Sequence, residues 1–218
     1  MSDAITNRVK AHTVYKLANG QRVPGVTTIL GVLNKPALVK WANNLGLQGI
    51  DSNKYVDEKA DMGTCAHYMI ECHVKHLQPD LTEFSTVVQD KAANGFLKFL
   101  EWDNQFGPFE LIASEMELVS ETLQVGGKVD LYGKLRDRFV LLDIKTSRSG
   151  IWPEMRHQVA AYRELLLENG HPVDETYILR VGRDEGEGFE FERVEQLDKH
   201  FEVFKACLAI YNLQKELK

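Results

Sequence analysis

Apolar residues recur along this chain with two different periods, and the change from one to the other falls near residue 110. Upstream of it, residues 54–77 carry Met62, Ala66, Met69, Ile70, Val74 and Leu77 at helical spacing, interrupted by Gly63, and residues 86–106 repeat that spacing through Phe96, Phe99, Leu100 and Phe106. Ahead of these, VTTILGVL and KPALVKWANNLG predict two short helices, the second with Pro36 in its first turn and Gly46 near its end. TVYKLANGQRVPG holds two short alternating runs on either side of Asn19-Gly20, a strong turn dipeptide, and predicts a hairpin over residues 13–23. Downstream of residue 110 the segments ELIASEMELVS, TLQVGGKVDLYG and RFVLLDIKT read as three consecutive strands joined by short polar turns, for which a meander is the simplest pairing. WPEMRHQVAAYRELLLENG, ending in Gly170, predicts a helix of about four to five turns. ETYILRVG then reads as a strand, and a strand-helix-strand order of this length implies a right-handed parallel crossover. GFEFERV adds an edge strand, and a closing amphipathic helix places Leu197, Phe201, Phe204, Leu208 and Tyr211 on one face.

This order predicts an α/β fold in which a central mixed sheet, a three-stranded meander plus a crossover strand, is flanked by helices. We expect one domain over residues 1–218, with a hairpin and helical region (about 1–106) leading into a core (about 107–218). At 44% hydrophobic and 27% charged residues, the 218-residue chain is long enough for one large core. A formal net charge of -6 argues against holding nucleic acid by overall charge, while a local basic path, or charge supplied by a metal, stays open. Cys65, Cys72 and Cys207 are too few and too far apart for a disulfide framework and form no CxxC pair, so a reducing cytoplasm is expected. The opening MSDAITNRVK lacks an apolar stretch before a small-residue cleavage site, and the chain has no run long enough to span a bilayer. Neither a secretory signal nor a membrane partner is therefore expected.

The chemistry concentrates in GGKVDLYGKLRDRFVLLDIKTS, residues 126–147. Asp143 follows the apolar run Phe139-Val140-Leu141-Leu142, where a sheet interior would normally continue, and a charge taken out of water there needs a partner or a metal. Residues two apart in a strand share a face, so Asp143 and Lys145 form one site while Ile144 points to the opposite layer. Asp130 lies near the end of the preceding strand, and a hairpin between the two strands would bring both carboxylates together. Paired carboxylates repel unless a divalent cation lies between them; magnesium, with its oxygen ligands and retained waters, suits such a place, and Lys145 would orient an attacking water or stabilise charge developing on a phosphate. The same residues also suit a plain ion pair on a sheet rim, with Asp130 opening a turn at DLYG.

The larger constellation weighs against that plain reading. GGKVD, LLDIKTS and HQVAAY together resemble the core of the PD-(D/E)XK nuclease superfamily, in particular the RecB-like branch of phage-type exonucleases that includes the mitochondrial genome-maintenance exonuclease. The resemblance implies a restriction-endonuclease-like core with Asp130 and Asp143 as metal ligands and catalytic residues, Lys145 as the catalytic lysine, and the backbone carbonyl of Ile144 as a further ligand. It also implies that Gln158 and Tyr162, four apart on one helix face, contact substrate DNA or the lysine. Upstream, PGVTTILGVLNKPALVKWANNLG and MGTCAHYMIE resemble the N-terminal helices of the phage members, which implies His67 as a metal ligand. Glu115 matches an acidic position on the first core strand, with Glu117 the competing choice on the same strand face. Glu71 lies one helical turn beyond His67, and Thr146 and Ser147 suit either phosphate contact or a turn. Lys35, Lys40 and Trp41 are candidates for a strand path. The resemblance implies a Mg2+- or Mn2+-dependent DNA exonuclease of phage or bacterial recombination, repair or replication, cytoplasmic in its bacterial host. With one cysteine in the last third, no iron-sulfur cluster is expected. No GxxxxGK[ST] phosphate loop is present, so the enzyme acts alone or receives its DNA end from a recombination or replication partner. An endonuclease on the same fold, or a non-catalytic DNA-binding module, are the competing readings.

Overall fold

The change of period near residue 110 separates a helical region from a sheet. The computed structural model describes residues 13–33, 35–148 and 150–217; residues 1–12, on which the expectation of no secretory leader rests, lie outside the described residues, as do 34, 149 and 218. The hairpin forms as β1 (Tyr15–Lys16) and β2 (Arg22–Val23), closed at the predicted turn by Gly20 with φ +85°. Helix α1 (Val26–Leu30) is shorter than its apolar run suggests, and α2 (Pro36–Leu47) begins at its proline. Helix α3 (Ser52–Val74) starts where the Asp51 side chain accepts from the amides of Asn53 and Lys54, and α4 (Thr86–Phe106) where Ser85 accepts from Val88, so each cap satisfies otherwise orphaned N–H groups. Gly63 does not interrupt α3; a methyl there would lie 2.8 Å from Thr146 Oγ1, so the glycine lets the helix approach the sheet.

Strands β3 (Glu110–Ser120), β4 (Val125–Leu135), β5 (Arg138–Thr146), β6 (Glu175–Val181) and β7 (Phe189–Arg193) form one sheet in that order, and α5 (Pro153–Glu168) crosses from β5 to β6 before α6 (Leu197–Glu216) closes the chain. The meander is antiparallel, β5 and β6 are parallel, and β7 is an antiparallel edge, which makes the sheet mixed as expected. One face carries α1, α5 and α6 over Val125, Val129, Leu141 and Ile178; the other carries α3 and α4 over Leu131, Leu142, Ile144 and Leu179. Phe99 and Trp102 of α4 are wholly buried in the second layer, and Leu197, Phe201, Phe204, Leu208 and Tyr211 all turn inward from α6. Among the described residues no helix is long and apolar enough to cross a membrane. The three cysteines are buried and unpaired.

The strands do not pair along their whole lengths. β4 and β5 are in register only from Leu135↔Arg138 to Leu131↔Leu142, after which they part, while β5 continues against β6 to Thr146↔Val181. The sheet is thus forked, with residues 125–130 on one limb and 143–146 on the other. Near the tip of the first limb, Gly126 N donates to Pro24 O at 2.9 Å, and the Tyr15 ring lies where a side chain on Gly126 would go. Gly127 faces α5: a methyl there would stand 2.7 Å from both Leu165 Cδ1 and Tyr162 Cε1.

The Gly127→Ala substitution is therefore expected to destabilise the fold by about 1–3 kcal/mol through overpacking against α5. Gly46→Ala, on the exposed side of α2 with nothing within 4 Å, should instead stabilise by about 0.5–1 kcal/mol. Urea midpoints of the two variants measure this, and a neutral Gly127→Ala would show that α5 does not seat closely on β4.

Candidate metal centre

The site is assembled at the fork. Along β5, Leu141 packs in the α5 layer and Leu142 and Ile144 in the α4 layer, so by strand alternation Asp143 and Lys145 point to the α5 side. Asp143 is 1% exposed and Lys145 20%, with Nζ 2.7 Å from Asp143 Oδ2. Neither oxygen of Asp143 accepts a well-formed hydrogen bond among the described residues, although both are buried. A charge contact on one oxygen and nothing on the other leaves this carboxylate undersupplied.

Asp130 occupies the crotch of the fork. Having lost its partner on β4, the Ile144 amide donates instead to Asp130 Oδ2 at 2.8 Å. The amide and carbonyl of one strand residue point the same way, so the Ile144 carbonyl also faces this gap. Across the other edge of β4, Glu115 stands opposite Asp130. The β3–β4 ladder shifts register between Leu111 and Ala113 and skips a rung here: Ser114↔Leu131 and Met116↔Val129 pair, but 115 and 130 do not. Glu115 has φ +48°, a left-handed conformation that costs a residue with a Cβ about 1–2 kcal/mol. Glu117 sits opposite Lys128 in the ladder and accepts a bond from Thr13, while the Lys128 ammonium pairs with Glu115. His67, from the middle of α3, completes the group with Nδ1 3.7 Å from Asp130 Oδ2. One ligand atom each from His67, Glu115 and Asp130 all lie within 4.8 Å of one another. Asp143 stands beside that trio, tied to Lys145, rather than within it.

The electrostatics show a site short of positive charge. Burial pushes the Asp143 carboxyl up to about 6; the Lys145 ammonium pulls against this and outweighs the Asp130 repulsion, but does not cancel the effect of burial. Asp130 is raised by burial, against the pull of Lys145 and the Ile144 amide; Glu115 is raised by burial and then by Asp130, although Lys128 pairs with it. Burial holds His67 below the ordinary imidazole range, which leaves a neutral ring able to ligate. For Lys145, burial pulls down and the Asp143 and Asp130 charges outweigh it, so the side chain stays an ammonium. The donor set of imidazole and carboxylates, with an unsatisfied buried carboxylate oxygen beside it, fits a divalent cation.

The other sequence candidates fall into place around this group. The Gln158 amide donates to the Tyr162 hydroxyl at 2.9 Å; the Tyr162 ring, 5% exposed, packs inside the α5 layer, with the Asp143 charge among those acting on its hydroxyl. Glu71 accepts from Ser114 Oγ at 3.0 Å and pairs with Lys75, which holds it at the α3–β3 contact. The Thr146 side chain lies against Gly63, and the Ser147 carbonyl accepts from Arg180 at 3.2 Å. Lys35 pairs with Glu154 at 3.0 Å, Trp41 packs edge-on against Tyr55 at 5.8 Å, and Lys40 is exposed. Sequence reasoning passed over two cations. Lys128, partner of Glu115, lies two residues before Asp130 and was legible only as part of GGKVD. Arg183, whose guanidinium donates to the Thr146 carbonyl at the tip of β5, follows a predicted strand with no motif to mark it.

The description PD-(D/E)XK nuclease superfamily matches this sequence over residues 40–215, most of its length, and the chain belongs to that superfamily. No curated protein matches the sequence. Among solved structures, a Eubacterium rectale protein named as a putative exonuclease is similar at 10% identity and a TM-score of 0.48, over 66% of this chain and 64% of that one. SSO0001 is similar at 12% identity and a TM-score of 0.35, over 67% of this chain and 84% of that one. The chain thus spans less than two thirds of the Eubacterium rectale protein, and the family assignment rests on the sequence match.

An Asp143 carboxyl raised to about 6 in the folded chain, against about 4 when unfolded, ionises at the expense of the fold. Its contribution to stability is fully present below about pH 4 and is lost as pH rises through about 6. Chelator-treated protein should lose stability across that window, and Asp143→Asn should show a smaller loss, the part that remains coming from Asp130 and Glu115, which burial also raises. Denaturation at several pH values, with carboxyl carbon shifts followed by NMR, checks this; an Asp143 titration near 4 would refute it.

Proposed function

We propose that this chain is a Mg2+- or Mn2+-dependent deoxyribonuclease that acts as an exonuclease at DNA ends. The observation that carries this reading is the convergence of His67, Glu115 and Asp130 beside a buried Asp143–Lys145 pair. His67, Glu115, Asp130 and Asp143, with the Ile144 carbonyl, would hold the ion. A bound divalent cation supplies Lewis-acid stabilisation of phosphate charge and makes water a better nucleophile near neutral pH.

The chain's own residues do the rest. Asp130, by accepting from the Ile144 amide, ties down the edge of β5 that β4 has left, while β6 holds the other edge, so that Asp143 and Lys145 are presented from a rigid strand. Lys145, held as an ammonium, places a donor where a water or a phosphate oxygen would approach and offsets the negative charge that grows there. Gln158 orients Tyr162, whose ring seats α5 over Gly127 and closes the wall behind Asp143. The burial of that wall keeps water from the rear of the site and strengthens each charge interaction in it. The exonuclease reading, as distinct from an endonuclease, is supported by the likeness of GGKVD, LLDIKTS and HQVAAY to the phage-type exonuclease branch. Processing of DNA ends in recombination, repair or replication, in a bacterial cytoplasm, is part of the same proposal.

Purified protein incubated with end-labelled linear duplex, linear single strand and closed circular DNA should release nucleotides from the linear substrates with Mg2+ or Mn2+ and not with chelator. Asp143→Asn, Glu115→Gln and Lys145→Ala should each lower the rate by about two to three orders of magnitude while circular dichroism stays native. Nicking of closed circles would replace the exonuclease reading by an endonuclease. A wild-type protein inert on all three would leave a DNA-binding module.

A further inference from the structure

Outside the fork, two imidazoles meet where α5 packs against α6. His157 Nδ1 and His200 Nδ1 stand 3.1 Å apart, with ring centroids at 5.1 Å and planes inclined by 51°. We propose that His157 and His200 form a second metal site, one that takes a borderline divalent transition ion such as Zn2+, Ni2+ or Cu2+ and fastens α5 to α6. At Zn–N distances of about 2.0–2.1 Å, two nitrogens this far apart subtend an angle of about 95–102° at the ion, between the square-planar and tetrahedral values. The two side chains already stand at the separation that chelation requires.

The surroundings are consistent with this. Both rings are half-buried and face the seam between two long helices, so they are oriented by packing yet open to solvent. Burial, then the mutual effect of the pair and the nearby Arg156, lowers His157; burial and Arg156 lower His200, and both rings are neutral ligands near pH 7. The groups facing the pair are Glu154, Arg156 and, from β7, Glu192. Arg156 makes a two-pronged bond to Glu192 at 2.6 and 2.7 Å, which compensates the one cation near the site. Glu154 is engaged by Lys35. Water would therefore complete the coordination.

In the metal-free pair one Nδ1 must carry a proton and donate to the other. On binding, that proton leaves Nδ1 and, by exchange with solvent, the same ring is protonated at Nε2; both imidazoles remain neutral, and both Nδ1 lone pairs go to the ion. Among the described residues no carboxylate joins the nitrogens in a three-ligand group, so Mg2+, which prefers oxygen ligands, is disfavoured here while it suits the fork. The location gives the site a consequence, because α5 also carries Gln158 and Tyr162.

The test uses the full chain bearing Glu115→Gln and Asp130→Asn, which removes the fork as a competing site. Equilibrium dialysis with Zn2+ should find one ion per chain, absent with Mg2+, lost on adding His157→Ala or His200→Ala, and accompanied by a rise in Tm. Cu2+ bound to the same background should show EPR splitting from two imidazole nitrogens, a readout that a structural role alone would not produce. Zn2+ binding unchanged by both histidine substitutions, or no bound ion in the fork-deficient chain, would overturn the proposal. Neither result touches the nuclease reading, which is measured on the unmodified fork.

Discussion

Repulsion among Glu115, Asp130 and Asp143 is the constraint that the fork answers. Three carboxylates drawn together away from water disfavour one another's ionised forms, and burial raises all three above their ordinary range. A continuous sheet would have no room for such a group, since each rung would be filled by backbone pairing. Here β4 leaves β5 beyond the Leu131↔Leu142 rung, and the Asp130 side chain takes the amide that β4 would otherwise have bonded. At the first open rung the lost backbone bond is thus replaced by a charge-assisted hydrogen bond, a stronger class of bond.

The other side of β4 shows the same exchange of regularity for convergence. Pairing is interrupted at the rung where Glu115 faces Asp130, and Glu115 adopts a left-handed backbone that most residues avoid. The nine other rungs of that ladder, the Phe99 and Trp102 core beneath it and the α5 layer above hold the conformation in place. Strain of this kind persists only where the surrounding fold overdetermines it.

This is also where the sequence stops being legible. Period alone located α4 and strands β3 and β5 to the residue, because each is long, uniformly patterned and bounded by turn or cap residues. The parallel pairing of β5 with β6 followed from the intervening helix. Asp143 and Lys145 were legible because they interrupt an apolar strand at a spacing of two; Asp130 was legible from GGKVD, although it was expected near the end of the preceding strand and lies in the middle of β4. The choice between Glu115 and Glu117 was not, since alternation gives both the same face and nothing about glutamate marks a positive φ. Lys128 and Arg183 lack any signal beyond their charge. His157 and His200, far apart in sequence, meet only because of how α6 packs across α5.

The charge count at the fork states what remains to be satisfied. With every group ionised, the three carboxylates face two ammoniums, Lys128 on Glu115 and Lys145 on Asp143, while His67 is neutral and Asp130 is left without a lysine of its own. One negative charge stays uncompensated, in a place where the low dielectric makes it expensive. A divalent cation would convert that deficit into a single positive charge, the complement of one phosphodiester. A third lysine in place of the ion would also neutralise the group but would leave nothing for a phosphate, and the net attraction would vanish. The family to which the chain belongs, the unfilled Asp143 carboxylate and the trio of converging ligands therefore point to the same deficit, and the sheet's broken pairing is what allows it to exist.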